Sequence, residues 1–211
     1  MYRFALLFLT LAPALLAGQS SWTLAKDNNG IQVYTKDKEN SDFKSSKVTS
    51  VVEASLQTFA ALFRDVDAYD KLFPSSKSAE LLERNTDRKQ VHYIISEAPW
   101  PVDDRDGVYE YLYSYNAGAK ILKIEMRGLP DYLPEKDGMV RIRICDGTWT
   151  FEQLDANRCR VTYEFHADPA GTLPAWLANA SVTSVPYELM TNLKERVQLD
   201  KYRTAKVSLI P

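Results

Sequence analysis

Tyr109-Glu110-Tyr111-Leu112-Tyr113-Ser114-Tyr115 places a tyrosine at every second position. Successive side chains of a strand point to opposite faces, so this spacing puts all four tyrosines on one face. Tyrosine is a favoured strand former and stabilises ordinary sheets, so the face can be plain core or surface. It also suits an amphiphile, offering area to a tail and hydroxyl tips to a head group. Around this stretch, residues 79–167 read almost entirely as β-structure. Turn residues punctuate it at Asn85-Thr86-Asp87, Asp103-Asp104, Asn116-Ala117-Gly118 and Asp155-Ala156-Asn157.

Upstream, Ile31-Gln32-Val33-Tyr34-Thr35 alternates like a half-buried strand, and Phe43 to Val52 offers a partner for a hairpin. Residues 20–26 predict a short helix that ends at Asn28-Asn29-Gly30, with Gly30 in the left-handed position. Ser55 can cap a helix running to about Tyr69, whose Leu56, Phe59, Ala60, Phe63 and Val66 fall at helical spacing. Pro74 breaks that pattern. Downstream, a long last helix is expected from about Leu173, capped by Thr172 with Pro174 in its first turn. Leu173, Trp176, Leu177, Ala180, Leu189, Met190, Leu193 and Val197 mark its buried stripe, and Pro186 should bend it. The order predicts an α+β fold, a curved sheet folded around the last helix.

The first twenty residues read as a secretion signal. Arg3 gives a positive start, Phe4 to Ala17 is apolar apart from Thr10 and Pro13, and small residues follow at Ala17, Gly18 and Ser20. The run is short for a bilayer crossing of roughly 20 residues. Export predicts a periplasmic or secreted protein, with residues 21–205 as one domain and residues 206–211 as a tail. The 211-residue chain is 45% hydrophobic and 26% charged, enough to bury a core. Loss of residues 1–20 leaves 25 basic against 28 acidic residues, a net charge of −3. No basic excess exists to neutralise a phosphate backbone, so nucleic acid is not an expected partner.

Catalytic constellations are scarce. The histidines are His92 and His166, the cysteines Cys145 and Cys159, and no spacing among them suits zinc. No glycine-rich loop opens a helix after a strand. Asp103-Asp104-Arg105-Asp106 has the wrong spacing for a calcium loop. No metal or cofactor is expected. The turn at residues 155–157 would pair Cys159 with Gln153, leaving Cys145 roughly 25 Å along the sheet at about 3.3 Å per residue. A disulfide needs Cα atoms within about 7 Å, so the two cysteines should be free.

Pro99-Trp100-Pro101-Val102-Asp103-Asp104-Arg105-Asp106 resembles the Pro-aromatic-Pro…Arg-Asp signature of steroidogenic-acute-regulatory-related lipid transfer (START) domains. Gly138-Met139-Val140-Arg141 and Gly147-Thr148-Trp149 resemble the family's next strand, and residues 168–177 its entry into the C-terminal helix. The resemblance runs from about Trp22 to the end of that helix and is greatest to the phosphatidylcholine-transfer subgroup. It implies a helix-grip fold, in which a curved antiparallel sheet and the last helix enclose one lipid-sized cavity. The implied cavity residues are His92, Ile94, Arg105, Tyr109, Tyr111, Cys145, Trp149 and Trp176. Arg105-Asp106 reads either as a structural pair or as a head-group contact.

The resemblance stops where ligand identity is decided. The aromatic cage for choline would fall on Ile94, Gly107 and Cys145, none of which can stack on a quaternary ammonium. The acid and base that meet a sterol hydroxyl would fall on His92 and Tyr111. Residues 127–138 would form a lid: Gly128 and Gly138 are hinges, Pro130 and Pro134 keep the segment out of the sheet, and Leu129, Tyr132 and Leu133 close over the ligand near Trp176. The expectation is a monomeric, non-catalytic carrier of one lipid or other hydrophobic molecule, touching membranes transiently. The alternatives are a cyclase- or hydrolase-like enzyme using His92 with Tyr111, and a ligand sensor that signals to a protein partner.

Overall fold

The computed structural model describes residues 21–98, 100–171 and 174–211. The segment read as a secretion signal lies outside them, as do Pro99, Thr172 and Leu173. The chain opens with three strands, β1 (Thr23–Asn28), β2 (Ile31–Lys36) and β3 (Ser45–Val52). Two short helices follow, α1 (Leu56–Arg64) and α2 (Tyr69–Leu72), joined by a 3-10 turn at Val66–Ala68. Next come β4 (Ser76–Thr86), β5 (Lys89–Ser96), β6 (Arg105–Asn116), β7 (Ile121–Gly128), β8 (Val140–Arg141), β9 (Ile144–Gln153) and β10 (Cys159–Asp168). Three helices close the chain: α3 (Ala175–Ser181), α4 (Ser184–Arg196) and α5 (Asp200–Arg203).

All the strands belong to one sheet, ordered β1-β2-β3-β10-β9-β7-β6-β5-β4, with β8 joining the start of β6 in parallel. Every other pairing is antiparallel, and the helices lie on one face, as the α+β reading expected. Turn positions set the registers. Cys159 pairs with Gln153, and Cys145 lies opposite Ala167 further up the same ladder. Both cysteines are free.

Three expectations about helices are corrected. Residues 23–28 form a strand, because Asn29 and Gly30 both take positive φ, 51° and 69°. They make a two-residue loop of the type that matches strand twist, so Gly30 turns a hairpin instead of stopping a helix. The helix capped by Ser55, whose oxygen accepts from the Thr58 N–H at 3.2 Å, ends at Arg64 and not near Tyr69. The last helix is broken, not bent. It stops after Ser181 and restarts at Ser184, which puts Pro186 in the first turn of α4. There its missing N–H costs nothing, and its ring meets no helical carbonyl four residues back.

The core lies between α1, α4 and the concave sheet face. At one end it is filled by rings: Phe59 stacks on Phe151 at 4.5 Å, Trp149 on Tyr163 at 4.0 Å, and Phe63 meets Trp149 edge-on at 4.8 Å. Leu189, Met190, Leu193 and Val197 of the predicted stripe are buried. Trp176 and Ala180 are exposed, and α3 contains no buried residue.

Candidate functional site: an apolar chamber under the last helices

The four tyrosines of β6 share the concave face and divide by what lies above them. Tyr115 is half-buried near the strand end. Tyr113 is core, its hydroxyl donating to the Phe63 carbonyl at 2.8 Å. Tyr111 and Tyr109 reach beyond the packed rings and line a chamber of about 210 Å³. Its other walls come from Ile94 on β5, Met126 on β7, Ile142 and Cys145 near and on β9, Tyr163 and Phe165 on β10, and Val185, Pro186 and Leu189 on α4.

Two glycines shape the floor. A Cβ at Gly107 would collide with the Tyr109 hydroxyl, so the bare strand is what lets that ring lie across it. At Gly147 a Cβ would come within 3.0 Å of Tyr163. None of the described lining residues carries a carboxylate, ammonium or guanidinium. Burial pushes the Tyr109 and Tyr111 hydroxyls well above the usual phenol range and the Cys145 thiol up to about 12, so the walls are neutral at physiological pH.

The chamber continues into a wider groove of about 550 Å³ beside α3. Ser46, Ser75, Ser96, Ile142, Phe165, Ala167, Val185 and Pro186 belong to both spaces and form the throat. Arg105 lines the groove and uses each of its nitrogens on backbone: Nε donates to the Pro169 carbonyl at 3.3 Å, Nη2 to that of Ala170 at 3.5 Å, and Nη1 to that of Asp103. It pins the loop after β10. Asp106 does not pair with it, since alternation sends the two to opposite faces. Asp106 instead takes a bidentate pair from Arg141 at 2.9 and 2.8 Å and a hydrogen bond from Tyr93 at 3.0 Å. Burial alone would raise the Asp106 carboxyl, but these donors outweigh it and hold it below the ordinary range.

Of the residues expected in the cavity, Ile94, Tyr109, Tyr111 and Cys145 line the chamber, and Arg105 lines the groove. Three do not line either space. His92 is fully buried behind Tyr111, stacked on its ring at 4.4 Å with Tyr69 edge-on at 5.1 Å. Trp149 belongs to the packed rings. Trp176 is 73% exposed on the outer side of α3.

The expected lid also lies elsewhere. Leu129 and Leu133 pack on Val91, Tyr93 and Val108, which project from the convex face of β5 and β6. Arg141 clamps that loop by donating to the carbonyls of Pro130, Leu133 and Pro134 at 2.6, 2.8 and 3.1 Å, and Tyr132 donates to Glu83. The sheet itself therefore separates Leu129 and Leu133 from the chamber. The throat serines and the α4 residues escaped the sequence reading. A signal existed for two of the serines: Ser46 and Ser96 are polar residues at inward positions of their strands.

A curved antiparallel sheet gripping C-terminal helices over an apolar chamber defines the START-like class of lipid-binding domains. The chain belongs to the polyketide cyclase/dehydrase and lipid transport family, whose model matches residues 52–194, more than half of the chain. A STAR-related lipid transfer protein from Xanthomonas axonopodis is 37% identical and superposes with a TM-score of 0.78, covering 84% of this chain and 99% of that one. Phosphatidylcholine transfer protein of Rattus norvegicus is 27% identical over 192 residues, 86% of either chain. An uncharacterized protein of Pseudomonas aeruginosa is 28% identical over 177 residues, 84% of this chain and 87% of that one.

Proposed function

We propose that this chain is an exported, single-domain, monomeric carrier. It encloses one hydrophobic molecule and moves it between membranes without altering it. The observation that carries this reading is the uncharged chamber between β6, β9, β10 and α4, open through a groove. Removing a tail from water supplies the affinity, about 0.8 kcal/mol per methylene, or on the order of 10 kcal/mol for a sixteen-carbon chain. A bilayer offers a comparable gain, so loading and unloading are both feasible.

The chemistry of the walls supports a non-catalytic role. Burial lowers His92 to about 3, and both of its ring nitrogens lack a partner among the described residues. Burial shifts its neighbour Tyr111 the opposite way, which disfavours proton transfer between the two stacked rings near neutral pH. Membrane contact is assigned to the groove rim, where Trp100 and Trp176 are 92% and 73% exposed on the segments that supply Ala98 and Leu177 to the groove. The test is native mass spectrometry of protein purified from its exported fraction, with extraction of what co-purifies. A bound lipid or other apolar molecule supports the carrier. A substrate turned over during incubation would replace it with an enzyme.

A further inference from the structure

The chamber is apolar at its inner end, yet its throat is edged with serines. Ser46 stands on β3, opposite Phe165 of β10. Ser75 precedes β4, Ser76 begins it, and Ser96 ends β5 directly across from Ser76. Ser46, Ser75 and Ser96 line both the chamber and the groove, while Ser76 lines the chamber. The Ser76 hydroxyl is shielded from solvent and has no hydrogen-bond partner among the described residues. A hydroxyl in such a place costs stability unless something bonds to it. By contrast, Ser50, four residues further along the same face of β3, spends its hydroxyl on the Gly30 carbonyl at 2.6 Å.

Charge is arranged differently. Arg105, Lys44 and Glu97 line the groove beyond the throat: Arg105 donates to three backbone carbonyls, Lys44 pairs with Asp37 at 3.4 Å, and Glu97 is exposed. None of the residues shared by chamber and groove is charged, so the throat itself offers only neutral donors and acceptors.

We infer that Ser46, Ser75, Ser76 and Ser96 form a subsite for an uncharged hydrogen-bonding group, a hydroxyl or an ester or amide carbonyl, of an amphiphile whose tail fills the chamber. This rests on the carrier reading. It specifies the ligand class as a neutral amphiphile, with its polar group held where the chamber meets the groove. Anionic and cationic groups are disfavoured, because they would be drawn from water into a throat that holds no counter-charge.

The experiment uses the exported protein and the uncharged fluorescent probe N-phenyl-1-naphthylamine. Octanol, octanoate and octyltrimethylammonium, whose tails match the chamber, compete against it at concentrations below micelle formation. Octanol should displace the probe at least about tenfold more effectively than either ion. In the S46A/S75A/S76A/S96A protein that advantage should fall about tenfold, while the probe's own affinity changes less than about twofold. Single alanine variants, each confirmed folded by circular dichroism, report the same loss in smaller steps. An equal or better displacement by octanoate or by the cation in the unaltered protein overturns the subsite. So does an alcohol preference that survives all four substitutions. Failure of the probe to bind the unaltered protein at all would instead overturn the carrier reading itself.

Discussion

The imidazole of His92 lies on the ring of Tyr111, 4.4 Å between centroids and 28° between planes. Tyr111 faces the chamber and His92 supports it from behind. This support has a measurable pH signature. In the unfolded chain the imidazole takes a proton near pH 6.5, whereas burial delays this to about 3 in the folded protein. Between those values the unfolded state binds more protons, so stability present above about pH 6.5 is lost as the pH falls. From pH 7 to pH 5 the loss from this group is about 2 kcal/mol. Urea unfolding at the two pH values measures it. His92→Phe should remove that part of the pH dependence, and an unchanged slope in the variant would place its origin elsewhere.

The loop at residues 129–139 gives a prediction opposite to the one a lid would give. Leu129 and Leu133 cover Val91, Tyr93 and Val108 on the convex face, under the Arg141 clamp. Replacing both leucines by Asp puts two carboxylates against an apolar patch. The expected cost is about 3 kcal/mol, or about 10 °C in Tm for a domain of this size. Vesicle-to-vesicle transfer per folded molecule, measured below that Tm, should remain. A lid would show the reverse pattern, with transfer lost and Tm kept.

The side of the sheet that this loop covers is set by a contact distant in sequence. Its glycines, prolines and exposed-looking leucines state that it leaves the sheet and covers something apolar, and it does both. Nothing local states which face it covers. That is decided by Arg141, whose guanidinium reaches Asp106 on an outward position of β6 and draws three loop carbonyls after it. The same limit applies to the tyrosine ladder. Period two correctly placed all four rings on one face. The division into core and chamber wall depends on whether α1 or α4 lies above each ring, which is a non-local fact. Elsewhere the signal was present and outweighed by another pattern: Asn29-Gly30 is a hairpin turn, and Pro186 demands the first turn of a helix.

Both thiols should be free and slow to react. Cys145 lines the chamber and Cys159 is buried with its sulfur donating to the Ala54 carbonyl at 3.3 Å, and burial pushes each thiol up to about 12. Titration in denaturant without reductant should find two thiols in a monomer. In native protein, a bound apolar ligand should slow alkylation of Cys145 and leave that of Cys159 unchanged. Finding no free thiol would mean that the β9–β10 register is wrong.

Head-group selectivity for choline should be weak. Of the positions where a cage would fall, Ile94 and Cys145 offer no aromatic face, and Gly107 is covered by the Tyr109 ring. Phosphatidylcholine and phosphatidylethanolamine of equal chain length should transfer within about tenfold of each other, a difference of less than about 1.4 kcal/mol. A larger preference for phosphatidylcholine would require a choline site built from other residues.

The approach to the membrane falls to the groove rim. Tryptophan is the side chain best suited to a lipid–water interface, with an apolar body and one polar edge. Trp100 follows the segment that contributes Glu97 and Ala98 to the groove, and Trp176 precedes Leu177 and Ala178, which line it from α3. At 92% and 73% exposure neither ring contributes much to the core, and α3 has no buried residue to hold it down. Its Asn179 accepts from the Lys44 N–H at 3.0 Å and donates to the Asp42 carbonyl at 3.1 Å, so opening costs these two exposed hydrogen bonds and little apolar burial, and it would widen the throat. Replacing Trp100 and Trp176 together by Ala should slow transfer between vesicles at least about tenfold. Unfolding free energy should change by less than about 0.5 kcal/mol per site, the usual range for exposed positions. The affinity for a soluble probe should also persist, because neither ring lines the chamber. Fluorescence of the two tryptophans should shift to shorter wavelength on adding vesicles, and this component should vanish in the double variant. Transfer that proceeds unchanged without both rings would move the docking surface away from α3 and the loop that holds Trp100.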